Sequence, residues 1–186
     1  MALLTLDVEE IEVTTKPSGT ALESHSKNGS IKAITGGVSL NLEACELTYR
    51  VREKIDYGKA VLQLEHYCDL LRRWGVDLVA IPSSEHYPDC CFVQDTAIIL
   101  DEVCVMASMG ATRRRGETSE VEKAMSRFRQ IARILLPATL DGGDVVQVGR
   151  RLFVGLSTRT NGRGIEALCR IVEPLGYTPA HSVRET

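Results

Sequence analysis

Residues 95–106, DTAIILDEVCVM, decide the fold. Thr96-Ala97-Ile98-Ile99-Leu100 and Val103-Cys104-Val105-Met106 are apolar strand-length runs separated only by Asp101-Glu102, the spacing of a tight β-hairpin. Residues 144–154, DVVQVGRRLFV, repeat the pattern around Gly149-Arg150. Working outward, Asp56 is a helix N-cap, and Tyr57, Val61, Leu64, Cys68 and Leu71 follow at helical spacing. Gly75 stops that helix, and Val76–Ile81 reads as a strand ended by Pro82. A helix is expected over Glu117–Ala132, with Val121, Met125, Phe128 and Ile131 on one face, followed by the apolar run Ile134-Leu135-Leu136. A third helix is expected over about 162–172, with Tyr177-Thr178 starting a strand. Ile31–Ile34 supplies a strand for a first, partial unit. The order strand, strand, helix, strand thus recurs at a period of roughly 45 to 50 residues, the mark of a propeller or array. The fold class is α/β, and such units bury their cores only against neighbours. A chain ending at Thr186 is expected to leave the last unit without its closing strand or its next neighbour.

The chain has 186 residues and a net charge of -3, a length suited to one domain. Hydrophobic residues at 44% and charged residues at 25% supply a core and exclude wholesale disorder. The charge balance gives no footprint for DNA or RNA, and the few aromatics give no stacking platform. No apolar run approaches the roughly 18 residues of a membrane span. The N-terminus MALLTLDVEEIEV turns acidic at once, unlike a signal peptide, so a cytoplasmic protein is expected. Residues 1–30, rich in Ser, Gly, Pro and Lys, read as a flexible tail, and residues 31–186 as the domain. Cys45, Cys68, Cys90, Cys91, Cys104 and Cys169 show no paired spacing and read as reduced thiols. The four histidines form no ligand pair, so neither a metal nor a cofactor is expected.

Three segments carry polar residues at strand edges. In Phe92-Val93-Gln94-Asp95-Thr96, Asp95 opens a nearly apolar strand. In Asp141-Gly142-Gly143-Asp144, two acids bracket glycines that let backbone approach a ligand closely. In Ser157-Thr158-Arg159, a small-residue loop holds one cation, and Arg113-Arg114-Arg115 adds more. Each segment alone is an ordinary turn or solvated face. Asp-Gly-Gly-Asp also lacks the spaced oxygen ligands of an EF-hand. Together they suit a ligand with a cationic and an anionic end, such as an arginine-like amino acid. Carboxylates would hold the cation, and arginine would grip the carboxylate.

FVQDTA, RRRGE, LDGGDV and VGLSTRTNGRG, in this order between about Ala33 and Pro179, resemble the dimethylarginine dimethylaminohydrolase family of guanidino-group-modifying enzymes. The resemblance implies a five-bladed α/β propeller, of which this chain holds about three units. It also implies hydrolysis of methylated arginine to citrulline and a methylamine, through a Cys nucleophile and a His acid/base. Asp95 matches the carboxylate that binds the guanidinium, and Phe92 an aromatic of that pocket. Asp141 matches the acid that orients the catalytic His. Arg113 and Arg159 match the arginines on the amino-acid end, and Leu40 falls near the family's lid loop. Gln94 stands where Glu is usual, Gly36 where Arg is common, and Ser108-Met109 where Arg-Pro is usual. The family's His falls in a strand beginning just after Thr186, and its Cys lies in the final repeat. His181 precedes the expected position, and Pro179–Ser182 lacks the expected strand pattern. No cysteine here has a matching context; Cys90 and Cys91 read as strand packing, with thiol pKa values raised by nearby carboxylates. The expected partner is a small guanidino compound. Non-enzymatic binding of arginine-like ligands, and association with a second copy or a complementing C-terminal segment, are the other readings.

Overall fold

A computed structural model describes residues 4–6, 31–48 and 50–182. Its strands form three sheets of three strands each. In each, an antiparallel pair is followed by a third strand parallel to the middle one. The first sheet holds β1 (Leu4–Leu6), β2 (Lys32–Gly36) and β3 (Asp77–Ile81). The second holds β4 (Ala97–Ile99), β5 (Val103–Met106) and β6 (Gln130–Arg133). The third holds β7 (Val145–Val148), β8 (Arg151–Gly155) and β9 (Thr178–Ser182). A helix makes each parallel crossover: α1 (Tyr57–Arg73), α2 (Thr118–Met125) and α3 (Gly162–Val172).

Local chemistry fixes these elements. The Leu100 N–H donates to Val103 O (2.9 Å) and closes the Asp101-Glu102 hairpin. Gly149, at φ 57°, turns the β7–β8 hairpin. The Asp56 carboxylate caps α1 by accepting from the Lys59 N–H, and Gly75, at φ 80°, follows its end. No helix among the described residues is long and apolar enough to cross a membrane.

Four expectations change. Residues 4–6, placed in the tail by composition, pair with β2 instead: alternating Leu4-Thr5-Leu6 supplies a strand to the edge of an otherwise parallel pair. The remainder of the tail, residues 7–30, lies outside the described residues. The helix expected over 117–132 stops at Met125, after a 3-10 segment Thr112–Glu117. Gln130–Arg133 is strand β6, because backbone pairing with Val103–Met106 outweighs helical spacing in so short a run. The third unit also has its closing strand. β9 runs through Pro179 and His181 in register with Leu152 and Val154, and as an edge strand it tolerates the proline.

The core lies between successive units. Ile34, Val79 and Ile81 of the first sheet pack with Val121 and Met125 of α2 and with Cys104 and Met106 of the second sheet. Ile98, Leu100 and Val105, on the other face of the second sheet, pack with Ile165, Leu168 and Val172 of α3 and with Leu152 and Val154 of the third. Each later helix is therefore wedged between its own sheet and the sheet before it. This brings the starts of β4 and β7 and the end of β8 to one end of the molecule.

Candidate active site

That end holds a cleft of about 430 Å³ lined by Asp95, Asp141, Asp144, Ser157, Arg159 and the segment Glu46–Thr48 with Arg50. Gly142 and Gly143 make it possible. A Cβ on Gly142 would lie 2.3 Å from Gln94 O, and one on Gly143 would lie 2.5 Å from Asp95 Oδ1. The glycines thus let the 141–144 turn nest against the 94–97 turn. Protein, rather than a ligand, makes that close approach.

Behind the cleft sits Arg114, 1% exposed. Its guanidinium donates to Asp95 Oδ2 (2.7 Å) and to Glu117 Oε2 (2.8 Å), and Asp89 Oδ1 lies 4.0 Å away. Burial pulls its pKa down, but Glu117 and Asp95 hold it above the ordinary arginine value. In return Arg114 fixes Asp95 by one carboxylate oxygen and leaves the other toward Gly143. Asp89 accepts the Glu46 N–H (3.0 Å), tying the covering segment Glu46–Thr48 to the site. Arg52 reinforces this by donating to the carbonyls of Glu43 and Cys45.

Asp141 is buried. Its Oδ1 accepts the Gly110 N–H (2.9 Å), and its backbone N–H donates to Thr160 Oγ1 (3.1 Å). Its Oδ2 accepts no hydrogen bond; Arg159 Nη1 stands 3.6 Å away, beyond hydrogen-bond reach. Burial pushes the Asp141 carboxyl up; Gly110 opposes this and the Asp95 charge adds to it. Gln94 Nε2 donates weakly to Asp95 Oδ1 (3.4 Å), while Gln94 Oε1 is buried with no donor. Asp144 Oδ2 accepts from both Ser157 Oγ (2.7 Å) and Thr160 Oγ1 (2.6 Å). Arg159 Nη2 donates to Thr48 Oγ1 (3.1 Å), linking the rim to the covering segment.

The structure brings Asp95, Asp141 and Arg159 together on the cleft and places Gln94 beside Asp95. It does not gather the other three. Arg113 is exposed, while its neighbour Arg114 is buried behind the cleft. Arg114 stands three residues before Glu117, a helical pair spacing that marks it within the triplet. Phe92 packs under the covering segment with Val38, Leu42, Cys45 and Cys91, outside the cleft lining. Leu40 is 61% exposed and also stands outside the lining. Glu46, Thr48 and Arg50 carried no sequence signal beyond their polarity.

Burial pushes the thiols of Cys45, Cys90 and Cys169 up, and those of Cys91 and Cys104 up to about 12. Each of these is held as the protonated, poorly nucleophilic form. Cys90 Sγ accepts from the Ser84 N–H and donates to Gly37 O, a packing role. Burial rather than the neighbouring acids is the main cause of the shifts at Cys90 and Cys91.

A family model described as N,N dimethylarginine dimethylhydrolase, eukaryotic, matches residues 43–184. The chain belongs to the dimethylarginine dimethylaminohydrolase family. It is 35% identical over 148 residues to the Streptomyces coelicolor N(G),N(G)-dimethylarginine dimethylaminohydrolase, covering 79% of this chain and 57% of that protein. It is 35% identical over 127 residues to the Pseudomonas aeruginosa family member, covering 67% of this chain and 50% of that one. The chain thus spans little more than half the length of these curated relatives. The Pseudomonas aeruginosa dimethylarginine dimethylaminohydrolase complexed with citrulline superposes with a TM-score of 0.78 at 30% identity, over 83% of this chain and 62% of the other. The product-bound N-terminal domain of an arginine dihydrolase, at 13% identity and a TM-score of 0.69, shares the fold.

Proposed function

We propose that this chain forms the substrate-clamping portion of a dimethylargininase-type hydrolase and does not turn over methylarginine alone. In this reading its three units belong to a five-unit propeller. The reaction adds water across the guanidinium carbon and breaks one C–N bond, giving citrulline and a methylamine. Two buried acceptors without donors, Gln94 Oε1 and Asp141 Oδ2, carry the reading. A guanidinium offers N–H donors in a planar fork suited to such acceptors. Asp95 and Asp144 add negative charge beside them, and Arg159 and Arg50 stand on the same cleft to take an anionic end. Citrulline in the related structure fits a ligand of this shape. The resemblance gives Asp141, close to Arg159, the role of orienting a general acid/base.

The thiols support the inactive reading. A nucleophilic cysteine needs a lowered pKa, and every shifted thiol here is raised. The same observation favours a second reading, binding of arginine-like ligands without chemistry. Both are tested on the purified chain. Calorimetry with asymmetric dimethylarginine is expected to show binding that Asp95→Asn weakens on the order of 10- to 100-fold, the loss of one charge-assisted contact. Citrulline release should stay at background. Turnover abolished by Asp141→Ala overturns the inactive reading, and absence of binding overturns both.

A further inference from the structure

A second groove, of about 480 Å³, lies between α3 and the run that follows β6. None of its lining residues borders the cleft. One wall is apolar, from Ile134, Leu135, Pro137 and Ala138. The other is one face of α3, where Arg163, Glu166 and Arg170 recur at helical spacing beside Ala167 and Ile171. Asn161 fastens the walls together. Its Oδ1 accepts the N–H groups of Gly164 on α3 and of Thr139 beyond the run, and its Nδ2 donates to Pro137 O. Both observed joints lay a helix on the face of the preceding sheet. A further unit would therefore cover the third sheet and leave this groove open.

The repeat shows that the chemistry of the groove is not a requirement of the fold. The chain runs Pro82-Ser83-Ser84 after β3 but Ile134-Leu135-Leu136 after β6, and Leu135 is 70% exposed. α2 ends on buried Met125 as α3 ends on buried Val172, which matches Arg163 and Arg170 with Gly116 and Lys123. Lys123 is held by Glu120 at 2.6 Å. On α1, the Val76 N–H bonds to Leu71 O as the Tyr177 N–H bonds to Val172 O, which matches the same pair with Leu62 and Asp69. Of the three described units, only the third has arginine at both places. Arg133, at the groove's edge, is committed to Glu122, its Nε donating at 2.9 Å. Arg163 and Arg170 are exposed, and among the described residues neither forms an ion pair. They stand about 10 Å apart along the helix axis, so two long side chains can converge on one headgroup.

We infer that this groove binds a small organic anion with an apolar chain. Arg163 and Arg170 grip its carboxylate or phosphate through charge-assisted hydrogen bonds, and the chain lies along Ile134 and Leu135. Glu166 is the one acid on the lining and opposes the anion. The inference stands whether or not the cleft binds guanidines.

Calorimetry on the purified chain is the test, with octanoate and octyl phosphate as probes below their micelle-forming concentrations. At least one is expected to bind about tenfold or more tightly than its headgroup alone, acetate or inorganic phosphate, and the stronger of the two identifies the head. Arg163→Gln with Arg170→Gln should weaken that binding at least about tenfold, the scale of lost charge-assisted contacts. Leu135→Ser should weaken it severalfold, and Glu166→Gln should tighten it. Asp95→Asn, in the cleft, should leave it unchanged. The substituted groove positions are exposed, and unchanged circular dichroism will establish that each variant is folded; the single arginine variants replace the double one if it is not. Absence of binding by both amphiphiles overturns the inference. So does headgroup binding as tight as that of the whole probe, a double variant that binds like wild type, or a Glu166→Gln variant that binds more weakly. Binding to anionic phospholipid vesicles with none to either soluble probe also overturns it, in favour of a membrane surface.

Discussion

At the scale of single residues, the site depends on atoms that are absent. Gly142 lies where any Cβ would meet the carbonyls of Gln94 and Ala97, at 2.3 Å and 2.9 Å. Backbone cannot yield there as a flexible side chain could, so Gly142→Ala must part the two turns that carry Asp95 and Asp141. A cost of about 1–3 kcal/mol is expected, together with loss of guanidine binding, both read from urea unfolding and calorimetry. Gly162 is the control. A Cβ there meets nothing within 4 Å and sits in the first turn of α3. Gly162→Ala should be neutral or stabilise by up to about 1 kcal/mol through the unfolded chain. The sequence pointed to Gly142-Gly143 without saying what came close. Only the paired turns show that protein fills the gap. Arg114 escaped for a related reason. In a triplet of arginines, burial is decided by which side chain the 3-10 turn aims inward, and the resemblance selected its neighbour Arg113.

At the scale of elements, one side chain fastens α3 to the segment leading into the site. Asn161 Oδ1 accepts the Gly164 N–H (2.8 Å) as the helix cap and the Thr139 N–H (3.2 Å) from the strand-like run before Asp141. Its Nδ2 donates to Pro137 O (3.0 Å). A helix cap alone contributes about 1 kcal/mol. Asn161→Ala also leaves backbone groups of residues 137–139 without partners, so about 2 kcal/mol is expected. For a chain of this size that lowers the thermal midpoint by roughly 4–8 °C. Asp56→Ala removes only the α1 cap and should cost about half as much by the same measurement. Elements with strong local signals were legible: both hairpins, and α1 and α3 between their caps and glycines. β6 and β9 were not. Gln130–Arg133 has helical spacing, and Pro179 interrupts the second run, so their strand character comes from pairing with β5 and β8 rather than from composition.

At the scale of the whole molecule, the three units converge carboxylates at one end, and the resulting burial gives acidity two opposite effects. The repeat order was readable because hairpin spacing recurs. The electrostatic result was not, because it depends on how deeply the convergence buries Asp141 and Asp89. Burial raises both carboxyls above their ordinary values, against the N–H groups of Gly110 and Glu46 that favour their charged forms. A carboxyl raised on folding contributes stability that is fully present below its unfolded pKa and lost as pH rises through the folded pKa. The window therefore begins in the ordinary carboxylate range and extends above it. Asp141→Asn removes this titration and keeps the size of the side chain. The thermal midpoint of wild type minus that of Asp141→Asn should therefore increase as pH falls from about 7 to about 4.5. Contributions from the other carboxylates largely cancel in that difference. Under the proposed function, guanidine binding runs the other way: protonation of Asp141 removes one of the charges lining the cleft. Affinity for asymmetric dimethylarginine should fall over the same interval in wild type, and fall less in Asp141→Asn. A midpoint difference that shrinks on acidification would mean that Asp141 is held below its ordinary value, with the Gly110 N–H and the nearby Arg159 outweighing burial.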